Sequence, residues 1–542
     1  MRHPRLLLTA ILCLTAGASL HAEHPWRFLH NNDGTDLLSN IWHGRRPISV
    51  ADVNECVDLI AGTGVTTYLM CTGSDFAFYR SRYARVLGDD EGGSLDSRGD
   101  TLFLNYYRNH RLLEQEGTDI VRAALSRARA RGMETMITYR MNDLHFSAPS
   151  YRGTVYSSRF WNDHPELWMS DGSQGWNSNG ALDFARPEVQ DHKYAMLAEQ
   201  LDLYGALIDG LELDFMRMIV YFRRGEGPQK APLLTDLVRR IRVRTDSLGA
   251  VQGRKILLTA RVPVDYDDAL AKGLDVQTWV DEGLVDFLTL GVHWCGDPAI
   301  DVSAFRARLG KAGRQIPIYA TLDDGGFAPR EIFSHGTLRG SAEYALAHGA
   351  DGIYLFNYFL AEYLQGGREV HPAPGTDCCR TRSRELLDEL GSLRTLRGRN
   401  KIFAWRASSP EFGLHSRTPL PLDLPGEAPL PLGRRLRGKD RPREAVLLVR
   451  LTGDPAAWTF SLDGRTLPPL GEEVVRRYGR LAPIAPGEKA CAYAVPVGVL
   501  SRRPDTRLTV SRTAPDLSET PARLTRLELV LNYGDPEEKG WF

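Results

Sequence analysis

The segment Ala206–Phe215 reads ALIDGLELDF and carries more information about the fold than any other part of the chain. Its second half alternates acidic and apolar residues, with Glu212 and Asp214 separated by Leu213. Successive side chains of a strand point to opposite faces, so the two carboxylates share one face and the apolar residues share the other. This pattern predicts a strand whose apolar face packs against helices while its acids point into the interior of a sheet.

The same kind of segment recurs seven more times between Trp26 and Phe359. Each occurrence is a short β-branched or aromatic run, followed by a polar loop and a segment of helical period. This alternation predicts βα units around a parallel sheet. The eight strand candidates are Arg27–Asn31, Thr66–Cys71, Glu134–Arg140, Ala206–Phe215, Ile256–Val264, Val285–Trp294, Ile316–Leu322 and Gly352–Tyr358. Eight strands are what a closed (β/α)8 TIM-type barrel requires. A doubly wound sheet is less favoured, because no Gly-x-Gly-x-x-Gly follows the first strand.

Helix signals fit between the strand candidates. Ser49 precedes a segment with apolar residues at helical spacing, and Arg186-Pro187-Glu188 places a proline where a first helical turn tolerates it. A third helix is predicted within Ala299–Leu309.

The sequence changes character after about Arg397. Prolines cluster between Pro419 and Pro431, and helical periodicity gives way to short alternating runs: Ala445–Leu451, Trp458–Leu462, Ala490–Val497, Arg507–Val510 and Leu527–Leu531. This pattern of prolines and short alternating runs predicts an antiparallel β-sandwich over residues 397–542, after a barrel domain over residues 23–396. The sandwich either binds glycan or covers one side of the barrel, and packing is the favoured interpretation.

The first 22 residues have the features of a secretory signal peptide. Arg2 and Arg5 precede the apolar run Leu6–Leu14, which is too short to span a bilayer, and Leu20-His-Ala22 suits cleavage. The mature protein is therefore expected to be exported, periplasmic or extracellular, and not inserted into a membrane.

The composition limits the class of partner. The chain has 542 residues, with 67 Lys and Arg against 68 Asp and Glu, so no long-range field favours a nucleic acid. No C-x-x-C, H-E-x-x-H or Asp-rich calcium loop occurs, and neither a metal nor a cofactor is expected. Six cysteines remain after cleavage, too few for a disulfide scaffold, and the sequence leaves disulfide pairing and oligomeric state open.

The predicted catalytic residues lie where the barrel strands end, because the carboxyl ends of parallel barrel strands converge on one face. Asp214 is the favoured catalytic carboxylate, with Glu212 or Asp323 as its partner. Two buried acids must share a proton, pair with a cation such as Arg140, Arg217 or Arg261, or face a solvated cleft. Such an arrangement separates the pKa values of two carboxyls, as acid–base catalysis requires. The alternative interpretation is a structural ion-pair network.

Polar and aromatic residues follow most of the other predicted strands. As substrate-binding residues we predict Asn32, Asp33, Arg140, Asn142, Asp143, His145, Arg217, His293, Trp294, Asp324, Asn357 and Tyr358. The long segment Phe146–Ser178 adds three tryptophans, and we expect it to form a wall of the cleft.

A family resemblance rests on two segments. Ala181–Arg217 reads ALDFARPEVQDHKYAMLAEQLDLYGALIDGLELDFMR, and Trp279–Phe287 reads WVDEGLVDF. Over roughly residues 26–359 the chain resembles the bacterial glycoside-hydrolase-like (β/α)8 barrels, in particular the family-10-like glycosyl hydrolases. The resemblance implies a glycosidase in which Asp214 is the strand-four acid and Arg217 the arginine that follows it. The chain departs from the family pattern at Met218-Ile219, where an aromatic residue and a proline are usual, and at Glu212, a position commonly uncharged.

The expected function is therefore that of an exported glycoside hydrolase acting on a poly- or oligosaccharide. One carboxyl would protonate the leaving oxygen, while another attacks the anomeric carbon or activates water. Retaining and inverting outcomes both stay open. Two alternatives are a non-catalytic glycan-binding barrel and a polysaccharide lyase, in which His145 or His293 acts with Tyr358.

Overall fold

A computed structural model describes residues 26–39, 47–86, 89, 101–154, 156–169, 178–292, 299–323, 334–360, 383–407, 418–478, 486–514 and 521–534. The predicted signal peptide lies outside these residues and stays a prediction. Of the cysteines in the described residues, Cys56, Cys71 and Cys491 are free thiols. None of the helices in these residues is both long and apolar enough to cross a membrane.

Eight parallel strands close into a barrel, which confirms the predicted fold class. Each strand pairs with the next along the chain, and the eighth closes on the first through the pair Leu29 and Tyr354. The strands are β1 Arg27–Asn32, β2 Thr67–Cys71, β3 Glu134–Arg140, β4 Gly210–Asp214, β5 Leu257–Pro263, β6 Phe287–Gly291, β7 Ile318–Leu322 and β8 Gly352–Leu355. All eight predicted segments contain a strand. The predicted fourth strand began too early, because Ala206–Asp209 lies outside β4. Outside the barrel, Phe76–Ala77 pairs with Arg85–Val86 in a two-stranded ribbon.

The helices begin where the sequence signals place them. Ser49 caps the second helix through a reciprocal bond with Asp52, whose Oδ2 accepts from the Ser49 amide at 2.8 Å. Pro187 occupies the first turn of the sixth helix. The helices are α1 Thr35–Leu38, α2 Val50–Ile60, α3 Thr101–Gln115, α4 Ile120–Ala130, α5 Arg159–Asp163, α6 Pro187–Tyr204, α7 Gly227–Gln252, α8 Tyr266–Ala271, α9 Val276–Asp281, α10 Val302–Arg308, α11 Gly310–Gly313, α12 His335–Ala347, α13 Leu386–Glu389, α14 Glu472–Tyr478 and α15 Val497–Leu500.

The two faces of β4 point as its alternation predicts. Leu211, Leu213 and Phe215 are fully buried in the apolar core shared with the helices. Glu212 points into the barrel, where hydroxyls from three other strands contact its carboxylate. The strand therefore separates an apolar outer layer from a polar inner one.

The C-terminal region forms two antiparallel sheets, as predicted. One sheet contains β9 Lys401–Arg406, β10 Leu422–Asp423, β12 Glu444–Thr452, β15 Pro469–Leu470, β16 Glu488–Ala494 and β18 Arg523–Asn532; the other contains β11 Gly426–Pro431, β13 Trp458–Leu462, β14 Arg465–Thr466 and β17 Asp505–Arg512. The sequence did not predict β11, because it contains Pro429 and Pro431. The strand tolerates them because it is an edge of its sheet.

The sandwich packs against the barrel through α12 and β9. Gly340 of α12 lies so close to β9 that an added Cβ would be 1.8 Å from the carbonyl oxygen of Ile402. Lys401 forms a buried ion pair with Glu343 of the same helix, and its Nζ also donates to the carbonyl of Leu396 at 2.7 Å. Helix and strand are therefore in direct backbone contact.

Candidate active site

A cavity of about 280 Å³ lies at the carboxyl ends of β1 to β4, the face on which barrel enzymes carry their active sites. Its wall comes from the loops after these four strands and from α3 and α5. The lining residues are Asp33, Thr35, Gly73, Ser74, Asp75, Phe76, Phe78, Tyr106, Arg140, Asp143, His145, Phe146, Ser147, Ser158, Trp161 and Arg217.

Asp33 follows β1 directly and is held by three neighbouring residues. Its Oδ1 accepts from the amide and hydroxyl of Thr35, and its Oδ2 accepts from Arg140 and from Asn357 Nδ2 at 3.1 Å. Burial disfavours the charged carboxylate, but Arg140 and Thr35 outweigh that effect and lower the pKa of Asp33. Asp33 is therefore an ionised carboxylate in the wall of the cavity.

Arg140, the last residue of β3, bridges two carboxylates. One terminal nitrogen donates to Asp33, and the other donates to Asp143 Oδ2 at 3.4 Å. Arg140 is nearly buried, with a side-chain exposure of 8%. The planar guanidinium fixes the two acids relative to each other, because its donors lie in a rigid fork.

Asp143, His145 and Arg217 form a connected chain. Asp143 Oδ1 bonds to His145 Nδ1, and Arg217 contacts His145 Nε2 at 2.9 Å. A guanidinium only donates hydrogen bonds, so Nε2 is an acceptor here and the ring proton lies on Nδ1, toward the carboxylate. Burial raises the pKa of Asp143, but His145 and Arg217 lower it by more. The pKa of Asp143 is therefore well below its ordinary value. This arrangement is an oriented Asp–His pair on the cavity wall.

Glu212 lies inside the barrel and does not line the cavity. Its side chain is fully buried, and its oxygens accept from Thr138 at 2.8 Å, Tyr354 at 2.7 Å and Thr289 at 3.1 Å. Burial and the neighbouring Asp214 raise the pKa of Glu212 to about 7. Glu212 is thus a buried acid that gains or loses a proton near neutral pH.

Asp214 is also buried, and it pairs with the arginine opposite it on β5. The register aligns Asp214 with Arg261, whose Nη1 lies 3.3 Å from Oδ1. The same guanidinium stacks 3.9 Å above the ring of Phe356, and the amide of Met216 donates to Asp214 Oδ1 at 2.9 Å. Of the three cations considered from sequence, Arg261 is the partner of Asp214. Asp214 faces the barrel interior but, like Glu212, is not part of the cavity wall.

The charges around the cavity balance. Asp33, Asp75 and Asp143 line it together with Arg140 and Arg217, and the buried Lys193 behind Asp75 supplies the third positive charge. These three carboxylates and three cations together have no net charge. A site of this kind favours an uncharged ligand with many hydroxyl groups over a strongly charged one.

Aromatic side chains form much of the remaining wall. Phe146 packs edge-on against Phe76, with ring centroids 6.3 Å apart, and contacts Tyr156 at 6.0 Å. Trp161 lines the cavity and stacks on Trp168 at 4.0 Å. The segment after β3 therefore forms a cavity wall, as its aromatic content predicted; Trp176 lies outside the described residues.

The structure brings together Asp33, Arg140, Asp143, His145, Arg217 and Asn357 from the predicted set. Three other predicted binding residues make contacts elsewhere. Asn32 accepts from the amide of Gly34, Asn142 donates to the carbonyl of Val220, and the hydroxyl of the buried Tyr358 bonds to the backbone of Ser383. Asp323 follows β7, half-buried, and is not among the cavity residues. His293, Trp294 and Asp324 lie outside the described residues.

Sequence reasoning missed Ser74, Asp75 and Lys193. The first two follow β2 in Cys71-Thr-Gly-Ser-Asp75, and the rule applied to the other strand ends would have found them. Lys193 carries no comparable signal, because a lysine within a helix normally faces solvent.

The fold and the cavity define a (β/α)8-barrel protein with a polar site at the carboxyl ends of its strands. No protein-family model matches the chain, so membership of the family-10-like group stays a prediction. No curated protein matches it either.

Several solved structures resemble the chain at low identity. A Paenibacillus sp. cycloisomaltooligosaccharide glucanotransferase, complexed with cycloisomaltoheptaose, is 8% identical with a TM-score of 0.35, over 92% of this chain and 57% of that one. An α-galactosidase from Thermus thermophilus is 16% identical with a TM-score of 0.29, over 59% and 49%. A GH36 α-galactosidase from Geobacillus stearothermophilus is 13% identical with a TM-score of 0.33, over 86% and 55%. The chain spans about half the length of these three proteins.

Proposed function

We propose that the protein is a glycoside hydrolase whose substrate binds in the cavity at the carboxyl ends of β1 to β4. The observation that carries the proposal is the pair Asp33 and Asp143, two carboxylates bridged by Arg140 that line one cavity. Glycosidases use two acidic groups flanking the scissile bond. The balanced charge and the aromatic walls suit a neutral sugar, whose rim is polar and whose ring faces are apolar.

The surroundings of each group suggest its role. Asp33 is held ionised, as a nucleophile or a base that activates water must be. His145 is the group of the Asp143 pair that can carry a proton to the leaving oxygen. Once protonated, its Nε2–H and the Arg217 N–H are both donors, so the ring has a better partner in a substrate oxygen. Asp143 orients the ring and stabilises its charged form.

This assignment differs from the one made from sequence, in which Asp214 reacts with Glu212 or Asp323. Neither Asp214 nor Glu212 lines the cavity, and each is bonded to groups of the barrel interior. In the proposed mechanism they keep the barrel interior polar and contribute to the field at the site, whereas Asp33 and His145 contact the sugar.

The test compares product release by the wild type, Asp33→Asn, Asp143→Asn and Asp214→Asn on a panel of plant and algal polysaccharides. Asp58→Asn is a matched control, because Asp58 pairs with Arg127 on the outer helices. We expect Asp33→Asn and Asp143→Asn to lower kcat by about 10²-fold or more, and the control to be unchanged. Full activity of both cavity variants, with loss only in Asp214→Asn, would return the reaction to the residue predicted from sequence.

A polysaccharide lyase is the second candidate, and the Asp143–His145 pair favours it. The neutral Nε2, once Arg217 releases it, could remove a proton from the sugar ring while Arg140 holds an acidic group of the sugar. Tyr358 does not take part, because it is buried against Ser383, and Tyr106 is the tyrosine on the wall. An ultraviolet absorbance rise from unsaturated product, without matching water addition, identifies this reaction.

A further inference from the structure

The loop after β2 forms a wall of the cavity with a sharply defined shape. Gly73 has a φ of +113°, and a Cβ there would lie 2.0 Å from the carbonyl oxygen of Phe76. The amide of Ser74 donates to the same carbonyl at 2.9 Å, and Gly73 bridges to Ala77. The turn requires glycine and presents Ser74 and Asp75 to the cavity.

Asp75 is anchored through only one of its oxygens. Lys193 Nζ lies 2.6 Å from Oδ1, and His192 Nε2 lies 3.6 Å from that same atom. Within the described part of the chain, Oδ2 of Asp75 accepts no hydrogen bond. The carboxylate is thus fixed from behind and keeps an acceptor for a ligand.

Ser74 is an unsatisfied hydroxyl beside this carboxylate. It is 6% exposed, and among the described residues its Oγ has no hydrogen-bond partner. A buried polar group without a partner is unfavourable, so proteins rarely keep one. A ligand hydroxyl in the cavity would satisfy it.

Lys193 is an unusual anchor for a loop. It has no exposed surface, and its ammonium lies 5.7 Å from the ring of Tyr139 and 6.0 Å from that of Phe184. Lysine is almost never fully buried unless it is paired, and an apolar side chain could hold a loop as firmly. The ion pair does what an apolar contact cannot, because it holds an ionised acceptor at the cavity wall.

Aromatic rings flank the two polar groups. Phe76 and Phe78 belong to the same loop and line the cavity, and Phe146 packs against Phe76 from the next loop. A hydroxyl donor, a carboxylate acceptor and apolar ring faces together match the rim and the face of a sugar ring.

We propose that Ser74 and Asp75 form a subsite for a second sugar residue of an oligosaccharide, and that Lys193 is the residue that positions Asp75. The inference rests on the proposed function and deepens it, since it makes the substrate an oligosaccharide bound by at least two of its rings. Ser74 and Asp75 then determine which hydroxyl pattern the second ring may have.

The test uses two substrates of the full-length enzyme. One is the oligosaccharide that the wild type cleaves best. The other is the p-nitrophenyl glycoside of its terminal sugar, which lacks the hydroxyls of a second sugar ring. Ser74→Ala is expected to raise KM for the oligosaccharide about fivefold. Asp75→Asn combined with Lys193→Met removes both buried charges, and it is expected to raise that KM about tenfold or more. Both variants are expected to lower kcat/KM for the oligosaccharide by a larger factor than kcat/KM for the p-nitrophenyl glycoside.

Lys193→Met alone tests the positioning role. We expect KM for the oligosaccharide to rise by a larger factor than KM for the aryl glycoside. Lys401→Met is the matched control, because it also breaks a buried lysine–carboxylate pair, but at the contact with the sandwich. It is expected to lose stability without any change in KM.

The possible results separate the two proposals. Unchanged oligosaccharide KM in both Ser74→Ala and the double variant overturns the subsite and leaves the glycosidase standing. Equal losses on the two substrates overturn it as well, because the residues would then act at the reacting ring. A wild type that cleaves no glycan removes the proposed function and the subsite together. Ser74→Ala deletes no hydrogen bond within the described part of the protein, so it stays informative if the other variants misfold.

Discussion

Replacing Glu212 by glutamine is expected to make the stability of the protein less dependent on pH. The carboxyl of Glu212 has a pKa raised from 4.5 to about 7, because burial removes it from water and Asp214 lies on the same face of β4. The folded protein therefore binds this proton more tightly than the unfolded chain does. A tenfold difference in proton affinity is worth about 1.4 kcal/mol, so the full effect is about 3 kcal/mol.

The sign of the effect follows from the two protonation states. Below about pH 4.5 the group is protonated in both the folded and the unfolded chain, and pH has no effect through it. Between about pH 4.5 and 7 the unfolded chain releases the proton while the folded protein keeps it, so the free energy of unfolding falls as pH rises. Above about pH 7 the loss is complete. Glutamine does not titrate, and its amide can still bond to the surrounding hydroxyls.

Urea denaturation at a series of pH values between 4.5 and 8.5 measures the difference. The wild type is expected to lose about 3 kcal/mol relative to Glu212→Gln across this range. Glu188→Gln, at an exposed position of α6, is the control and is expected to follow the wild type. If the wild type and Glu212→Gln have the same pH dependence, Glu212 has the same pKa in the folded and the unfolded chain, and the account of its burial is wrong.

Three further predictions concern the cavity. Arg140→Met leaves two buried carboxylates without their shared cation, so urea denaturation is expected to show a loss of roughly 3–5 kcal/mol, and product assays a loss of activity. Gly73→Ala is expected to lower kcat/KM for the oligosaccharide about tenfold or more, since the loop must move; Gly62→Ala, also at positive φ but in open space, leaves kcat/KM unchanged. Asn357→Asp puts a second carboxylate beside Asp33 and raises the pKa of Asp33. On acidification, activity is therefore expected to be lost at a pH about one unit higher than in the wild type. Asn357→Gly suits the φ of +50° and leaves the midpoint of that acid limb within a few tenths of a unit of the wild-type value.

The barrel could be predicted from sequence because each βα unit repeats a local pattern. Strand alternation also gave the direction of Glu212 and Asp214 correctly, since inward and outward faces follow from the period of two. The alternation did not indicate how far along the barrel axis each acid lies. Asp33 and Asp143 follow the last residues of β1 and β3 and line the cavity, whereas Glu212 and Asp214 are residues of β4 itself and do not.

Other features depend on contacts between distant segments. Lys193 and Asp75 are 118 positions apart, and nothing in the helix around Lys193 marks it as buried. Strand β11 was not predicted because it contains prolines, which a strand tolerates only at the edge of a sheet. The strand-end rule, by contrast, located Asp33, Arg140, Asp143 and His145, because it follows from topology alone.

The close packing of α12 on β9 has a consequence for how this protein can be divided. The helix is part of the barrel's outer ring, yet its backbone touches the first strand of the sandwich at Gly340 and its Glu343 takes the buried charge of Lys401. A fragment ending near residue 396 would bare this helix face and leave Glu343 without its lysine. Residues of both folding units therefore form the contact between them, and expression of the barrel alone is expected to give an unstable product.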